Sequence, residues 1–562
     1  MLRRAPFLVC LAAALLVAAC ASTPPPSAPS GDLVLHLIGI NDFHGNLDAP
    51  RGGAAVADPA DPAKTRQVAA GGAARLATVV KDLRSRDPAN TIMVGAGDLV
   101  GASPLLSSLF HDEPTVEALS QMGLALTAVG NHEFDEGPAE LKRLQDGGCH
   151  PVDGCKGPAP FTGAKYRYLA ASTVDDATGK TIFPAYAVRE FEGIKVGFIG
   201  LTLRSTPDYV VPSGTAGLTF KDEAETINAL VPTLRGQGVE AIVVLIHEGG
   251  YPAAGAGDCP ALSGAITEIV PKLDKAVDLI VSGHTHKAYV CTIDGRLVTS
   301  AGLYGTMATD ITVRLNRRTH DVDAAQARNI VVGPELAEDA DVKALVERYR
   351  TLAAPLMNRV VGKIATTLTA APPAGGAANG ESQLGEIVAD AMRAAAARTL
   401  GEPIDIAFMN APGLRGALAF KGDGSVSYAD IFAVQPFNNT LIAMTLTGAD
   451  VLKVLDQQFD GVGDNAVLQV SDGFSYAWRK TGAGGAQVVA GSVTVNGKPL
   501  DPAARYRIVT NNYLAEGGDF FTAFKAGTDE KIAGSDSAAL EAWLADRSPL
   551  GPPPLNRVRL AP

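Results

Sequence analysis

The stretch Leu33–His44, LVLHLIGINDFH, joins an apolar run to a polar segment that contains Asp42 and His44. The run has the length and composition of a buried β-strand, and amphipathic helical patterns at 72–85 and 263–276 separate later runs of the same kind. This alternation predicts an α/β domain whose sheet is covered on both faces, with polar residues at strand ends, where ligands bind. The later runs are TIMVGAG (91–97), LTAVGN (126–131), KVGFIGLT (195–202), AIVVLIHE (241–248), DLIVSGHTH (278–286) and RLVTSAG (296–302).

Asp, Asn and His residues are concentrated at these strand ends, which hold five of the nine histidines. Imidazole and carboxylate groups together suit Zn, Mn or Fe better than Ca, and their number favours two ions that share one carboxylate. We expect such ions to generate a hydroxide that attacks phosphorus, while His132 protonates the leaving oxygen and Asp135 orients its imidazole. The clusters are 41–44, 97–98, 130–133, 247–248 and 283–286.

The motifs Asp-x-His, Gly-Asp, Gly-Asn-His-Glu, His and Gly-His-x-His occur in this order and resemble the signature of calcineurin-like metallophosphoesterases. From about residue 33 to 545 the chain resembles the bacterial periplasmic 5′-nucleotidase / UDP-sugar hydrolase family. The resemblance implies two divalent ions (Mn, Zn, Co or Fe) and His132 with Asp135 as the catalytic pair. It implies that one ion binds Asp42, His44, Asp98 and His286, and that the other binds Asp98, Asn131, His247 and His284.

Three later segments, 410–415, 435–439 and 512–519, resemble the nucleotide-binding motifs of that family. Two aromatic rings can enclose a planar base, a carboxylate can accept hydrogen bonds from ribose hydroxyls, and an arginine can pair with phosphate. One departure is that the segment 374–380 lacks the one or two arginines usual in the family, which leaves the preferred nucleotide open. The predicted substrate-binding residues are Asn410, Gly413, Arg415, Phe437, Asn439, Tyr513 and Asp519.

The N-terminal residues have the pattern of an export signal. An apolar run after Arg3 and Arg4 ends in Val17-Ala18-Ala19-Cys20, which resembles a bacterial lipobox and implies lipidation of Cys20. We therefore expect a periplasmic, outer-membrane lipoprotein; an ordinary signal peptide is the alternative. The predicted organisation is a signal peptide (1–20), a Pro/Ser tether (21–31), a metallophosphoesterase sandwich domain (32–333), an exposed linker helix (334–357) and a smaller α+β nucleotide-binding domain (358–562).

Four cysteines remain beyond the signal. Cys149 and Cys155 bracket a turn rich in Gly and Pro, so we expect a local disulfide, which leaves Cys259 to pair with Cys291. A zinc knuckle helped by His150 is the alternative. His36, His111, His150 and His320 match no motif and are expected to be structural or exposed.

The charge balance of the chain argues against one class of function. The chain has 48 basic and 60 acidic residues, a net charge of −12, which argues against binding a nucleic acid polymer. We expect a lipid-anchored monomer that releases phosphate from 5′-nucleotides, with nucleotide sugars as further substrates. The alternatives are a 2′,3′-cyclic nucleotide phosphodiesterase with 3′-nucleotidase activity, a thiosulfate-ester hydrolase of the same fold, and a catalytically dead nucleotide-binding lipoprotein.

Overall fold

The computed structural model describes residues 31–561, apart from 51, 59–60, 159, 211, 253–258, 260, 371–378, 438, 460–466 and 482–484. The expected signal peptide, the lipidation at Cys20 and the tether up to residue 30 lie outside the described residues. So do residues 374–378 of the arginine-free segment. No helix in the described part of the chain combines the length and apolarity needed to cross a bilayer.

Two mixed six-stranded sheets form the first half of the described chain. In spatial order the first sheet contains Val322–Val331, Met307–Leu315, Leu33–Ile40, Thr91–Ala96, Leu124–Ala128 and Arg167–Leu169. The second sheet contains Ala288–Ile293, Arg296–Ala301, Leu279–Ser282, Ala241–His247, Ile194–Thr202 and Tyr186–Phe191. Leu33–Ile40 pairs in parallel with Thr91–Ala96, and Ala241–His247 pairs in parallel with both of its neighbours.

The two sheets pack against each other through one apolar layer, to which Leu35 and Leu37 contribute from one sheet and Val243 and Leu245 from the other. The alternate side chains, such as Ile38, point to helices on the outer face. Because both faces of the central strands are buried, these strands are continuous apolar runs in the sequence. The structure thus confirms the predicted α/β sandwich.

Helices cover the outer faces of both sheets. The helix predicted over 263–276 is shorter than expected, because Ile266–Ile269 is followed by a 3-10 turn at Val270–Lys272. Pro271 has no N–H to continue an α-helical ladder at this point. The covering helices are Ala73–Arg86, Glu113–Met122 and Gly137–Asp146 on the first sheet, and Glu223–Gly236 and Ile266–Ile269 on the second.

The linker helix spans Ala340–Met357 and begins at Asp339, whose carboxylate accepts hydrogen bonds from the next turn. The expectation that it is exposed was wrong. Leu345, Val346 and Tyr349 form a stripe that is buried among the helices of the first sheet. The charged residues of this helix occupy its other faces, and their number made the helical spacing of the apolar residues difficult to recognise in the sequence.

A smaller α+β unit follows. Its five-stranded sheet has the helices Gln383–Leu400 and Asp536–Asp546 on one face, and Gly448–Gln457 with a small sheet around Phe474–Lys480 on the other. The five strands, in spatial order, are Gln469–Val470, Ile406–Met409, Arg505–Asn511, Thr440–Thr447 and Thr528–Ser535. Short elements near the site are His132–Phe134, Thr206–Tyr209, Ala411–Gly413, Tyr428–Val434, Asn512–Ala515 and Gly518–Phe520.

Both expected disulfides are present, Cys149–Cys155 and Cys259–Cys291. The four sulfurs are therefore bonded in pairs and are not thiolates able to bind zinc. This pairing removes the zinc-knuckle alternative.

The buried stripe of the linker helix can be tested with two leucines of the same helix. Leu345 is 2% exposed and Leu352 is 48% exposed. We expect Leu345→Ala to lower the free energy of unfolding by about 2–5 kcal/mol through loss of packing, and Leu352→Ala to change it by less than about 0.5 kcal/mol. Urea unfolding followed by circular dichroism measures both; equal losses would contradict the observed packing.

Candidate active site

The seven residues predicted to bind metal lie together at the carboxyl ends of strands from both sheets. Parallel strands end at one edge of a sheet, so residues far apart in the chain converge there. Asp42 and His44 follow Leu33–Ile40, Asp98 follows Thr91–Ala96, Asn131 follows Leu124–Ala128, His247 ends Ala241–His247, and His284 and His286 follow Leu279–Ser282.

Two groups can be distinguished, each with ligand atoms close enough to hold one ion. In the first, His286 Nε2 lies 3.3 Å from Asp42 Oδ1 and 3.2 Å from His44 Nε2. In the second, Asn131 Oδ1 lies 3.1 Å from both His247 Nε2 and His284 Nδ1.

Asp98 lies between the two groups. Its Oδ2 is 3.0 Å from His247 Nε2 and 3.6 Å from His44 Nε2. Burial by itself would raise the pKa of this carboxyl, but the neighbouring His247 and His132 hold it well below its ordinary value. Asp98 is thus an ionised carboxylate within reach of both groups, the position that a shared ligand requires.

Backbone carbonyls orient two of the imidazoles so that the Nε2 atoms of His44 and His247 face this centre. The Nδ1–H of His44 donates to the Gly101 carbonyl at 2.9 Å, and that of His247 donates to the Ala96 carbonyl at 2.8 Å. Burial lowers the pKa of His44 and of His284 to about 3, so both are neutral at physiological pH. Burial disfavours the charged form of His247, but the Asp98 carboxylate outweighs it and raises the pKa of His247 to about 10. Carboxylates, an amide oxygen and imidazoles that face one another fit two divalent cations of the Zn, Mn or Fe type.

The backbone at this edge is unusual. Asp42, His44 and Asp98 have φ values of 48°, 46° and 50°, and His284 and His286 also lie in the left-handed region. Such conformations cost about 1–3 kcal/mol each and persist where surrounding contacts enforce them. A Cβ on Gly130 would lie 2.2 Å from Asp98 Oδ1, so only glycine fits there.

Glu133 holds the backbone around Asp98 in this conformation. It is buried, and its carboxylate accepts hydrogen bonds from the backbone N–H groups of Asp98 (2.9 Å), Leu99 (2.8 Å) and Gly130 (2.6 Å). It therefore ties together the two loops that carry Asp98 and Asn131.

His132 lies at the edge of the centre. Its Nδ1 is 3.0 Å from Asp135 Oδ2, and its backbone N–H donates to Asp98 Oδ1. Burial disfavours the charged imidazole, but the carboxylates of Asp135 and Asp98 outweigh it and raise the pKa of His132. On its other side, His132 Nε2 is 3.2 Å from Arg415 Nη2, and the ring stacks with Phe437 at 5.8 Å.

The second, smaller α+β unit packs over this site, and a cavity of about 600 Å³ lies between the two units. Arg415 places its guanidinium 5.3 Å from the ring centre of Phe437, and its Nε is buried without a hydrogen-bond partner among the described residues. Asn410 donates to Asp519 Oδ2 at 2.8 Å. All the predicted substrate-binding residues line this cavity: Asn410, Gly413, Arg415, Phe437, Asn439, Tyr513 and Asp519.

Tyr209 was not predicted from the sequence, yet it also lines the cavity, with its ring edge-on to His284 at 5.0 Å. It lies in the short helix Thr206–Tyr209, just after the strand Ile194–Thr202. That strand end carries no Asp or His motif, but its position beside the other strand ends was a usable signal.

The four histidines without a motif lie outside the two groups. His111 and His150 stack on each other at 3.8 Å, and His111 contacts the carboxylates of Glu136 and Asp153. The two remaining ones differ: His36 is half-buried within the first strand, and His320 is exposed.

The support from Glu133 predicts a coupled loss of metal affinity and stability. Glu133→Gln replaces one acceptor oxygen by an amide that faces a backbone N–H. We expect metal binding weakened by about 10–100-fold and a loss of about 1–3 kcal/mol in unfolding free energy. Competition with a chelator and urea unfolding measure the two effects, with the exposed Glu268→Gln as control. Unchanged metal affinity would show that the loops keep their positions without this carboxylate.

Known protein families match both halves of the chain. The calcineurin-like phosphoesterase family matches residues 35–288, and the 5′-nucleotidase C-terminal domain matches residues 360–526. The first range contains the two metal-ligand groups, and the second contains the three predicted nucleotide-binding segments.

Individual proteins are similar over most of this chain. Endonuclease YhcR of Bacillus subtilis is 32% identical over 493 residues, which are 87% of this chain but only 38% of that protein. Cell wall protein Lmo0130 of Listeria monocytogenes is 32% identical over 552 residues, 93% of this chain and 68% of that protein. A 5′-nucleotidase precursor from Thermus thermophilus shares the fold, with a TM-score of 0.72 at 24% identity over 94% of this chain and 99% of that one. The chain therefore belongs to the calcineurin-like metallophosphoesterases with a C-terminal 5′-nucleotidase domain, a family of metal-dependent nucleotide phosphohydrolases.

Proposed function

We propose that this protein is an exported phosphohydrolase that uses two metal ions to release phosphate from 5′-nucleotides. The observation that carries the proposal is that the two ligand groups, joined by Asp98, share one cavity with Arg415 and two aromatic rings. A phosphate at the ligand groups would leave a base within reach of Phe437 and Tyr513.

The metal centre would use Asp42, His44, Asp98 and His286 for one ion, and Asp98, Asn131, His247 and His284 for the other. Two divalent ions held there would supply positive charge for the phosphoryl oxygens and hydroxide at neutral pH. The protein's own contribution is to present imidazoles, an amide oxygen and carboxylates in fixed orientations, so that little reorganisation accompanies the reaction.

His132 would act as general acid for the leaving 5′-oxygen. The Asp135 carboxylate fixes the Nδ1–H side of the ring, which directs Nε2 into the cavity. Arg415 contacts the same Nε2, so a phosphate near His132 is also within reach of the guanidinium. The Nε of Arg415, which has no hydrogen-bond partner among the described residues, is a donor that a phosphate oxygen would satisfy.

Nucleotide recognition would come from the second unit. Phe437 and Tyr513 would contact the base, and the Asp519 carboxylate would accept hydrogen bonds from ribose hydroxyls. Asn410 holds Asp519, while Gly413 and Asn439 shape the same wall. Nucleotide sugars, which carry the same base and ribose, are proposed as further substrates.

Two disulfides support an oxidising compartment. Together with the signal-like N-terminus, they support a periplasmic protein anchored to the outer membrane by a lipid at Cys20, and we propose that it acts as a monomer. A relative named as a cell wall protein is consistent with export.

The proposal predicts metal-dependent release of phosphate from AMP. We expect the full chain loaded with Mn, Zn or Co to hydrolyse AMP, and chelation to abolish the reaction. His132→Ala should lower kcat by about 10²–10⁴-fold, the usual contribution of a general acid, whereas the exposed His320→Ala serves as the matched control. A colorimetric phosphate assay measures each rate; activity that survives chelation would contradict the two-metal scheme.

A substrate panel separates the proposed function from its neighbours. We expect AMP to have a higher kcat/KM than 3′-AMP and 2′,3′-cyclic AMP, because Arg415 and His132 face the same end of the cavity. UDP-glucose tests the nucleotide-sugar activity. Preference for the cyclic substrate would assign the protein to the cyclic phosphodiesterases. AMP binding without turnover, at less than one metal per chain, would indicate a dead enzyme.

A further inference from the structure

The hydroxyl of Tyr513 makes contacts that base stacking does not require. It lies 2.6 Å from Asp519 Oδ1 and accepts a hydrogen bond from the backbone N–H of Asp519 at 3.0 Å. It is also 3.1 Å from the carbonyl oxygen of Asp208, a residue of the first unit. A phenylalanine ring could stack on a base equally well, so the hydroxyl needs a separate explanation.

The hydroxyl is a donor at physiological pH. Burial raises the pKa of the Tyr513 phenol, and the adjacent Asp519 carboxylate raises it further. A short contact between a hydroxyl and a carboxylate is the geometry of a charge-assisted hydrogen bond. The proton of Tyr513 therefore points to Asp519 Oδ1, with the Asp208 carbonyl as a second acceptor.

The other carboxylate oxygen is held as well. Asn410 donates to Asp519 Oδ2 at 2.8 Å, and its own side-chain oxygen accepts from Asn511 at 3.0 Å. Both oxygens of Asp519 are thus held by hydrogen bonds from the protein, which fixes the orientation of the carboxylate.

The loop that carries Asp519 is strained. Asp519 and Phe520 have φ values of 50° and 66°, a conformation that non-glycine residues rarely adopt. The loop also folds onto the Tyr513 ring, because a Cβ on Gly518 would lie 2.5 Å from ring atoms. Such backbone persists only where other contacts enforce it, and the hydrogen bonds of the Tyr513 hydroxyl are contacts of that kind.

We propose that the Tyr513 hydroxyl is a positioning group that aims the Asp519 carboxylate at the ribose hydroxyls and thereby sets the preference for ribose-bearing substrates. This inference rests on the proposed nucleotide phosphohydrolase function. Tyr513 acts here through Asp519, while the contact with Asp208 anchors the hydroxyl to the opposite wall of the cavity.

The test compares AMP with 2′,3′-dideoxy-AMP, which lacks both ribose hydroxyls, in wild type and Tyr513→Phe. We expect the wild-type protein to have a lower KM for AMP than for 2′,3′-dideoxy-AMP. In Tyr513→Phe the KM for AMP should rise about tenfold, the effect of losing one hydrogen bond to a charged group, while the KM for the dideoxy substrate changes less than twofold. Thermal unfolding of the variant verifies that the fold is intact.

A double-mutant cycle tests whether the effect passes through Asp519. We expect Tyr513→Phe to change the KM for AMP less than twofold when it is added to Asp519→Asn, because the carboxylate is already gone. Tyr506→Phe is the matched control, since the Tyr506 hydroxyl accepts from the Asp501 backbone and does not line the cavity.

The outcomes separate the two proposals. If wild type with bound metal fails to release phosphate from AMP, the proposed function is wrong and this inference falls with it. If wild type hydrolyses AMP but Tyr513→Phe raises both KM values equally, or acts equally in the Asp519→Asn background, only the role of the hydroxyl is wrong. A wild type that does not distinguish AMP from its dideoxy analogue likewise overturns the inference alone.

Discussion

The carboxylate of Asp98 lies between two groups of imidazole and acidic ligands, and the rest of the site is arranged around it. Its Oδ2 faces both groups, while its Oδ1 accepts the backbone N–H of His132. Behind it, Glu133 binds three backbone N–H groups and holds two loops in register. One buried acidic residue thus positions another, and burial beside the Asp98 carboxylate raises the pKa of Glu133 to about 8.

The two units of the chain meet at His132. Asp135 contacts its ring from the first unit, and Arg415 and Phe437 contact it from the second. His132 therefore contacts both the unit that carries the metal-ligand groups and the cavity wall that faces them. This arrangement explains how residues that belong to two separate family domains can form one cavity.

Several elements could be predicted because their signal is local. Apolar runs such as 241–248 identified buried strands, and Asp or His at their ends identified the edge where ligands gather. The burial of the linker helix Ala340–Met357 was missed, because its five charged residues are as many as the five buried residues of the stripe around Leu345 and Tyr349. The helix expected over 263–276 was shortened by Pro271, a local signal that periodicity alone does not weigh.

The sequence by itself determined the α/β class and the order of the strands and ligand motifs along the chain, because strand period and residue type are encoded locally. Only the tertiary structure decided which ligands face one another, that Asp98 reaches both groups, and that Tyr513 meets both Asp519 and Asp208. Those relations join residues as far apart as 305 positions in the chain. They depend on how two sheets and two units pack, and no local pattern carries that distance information.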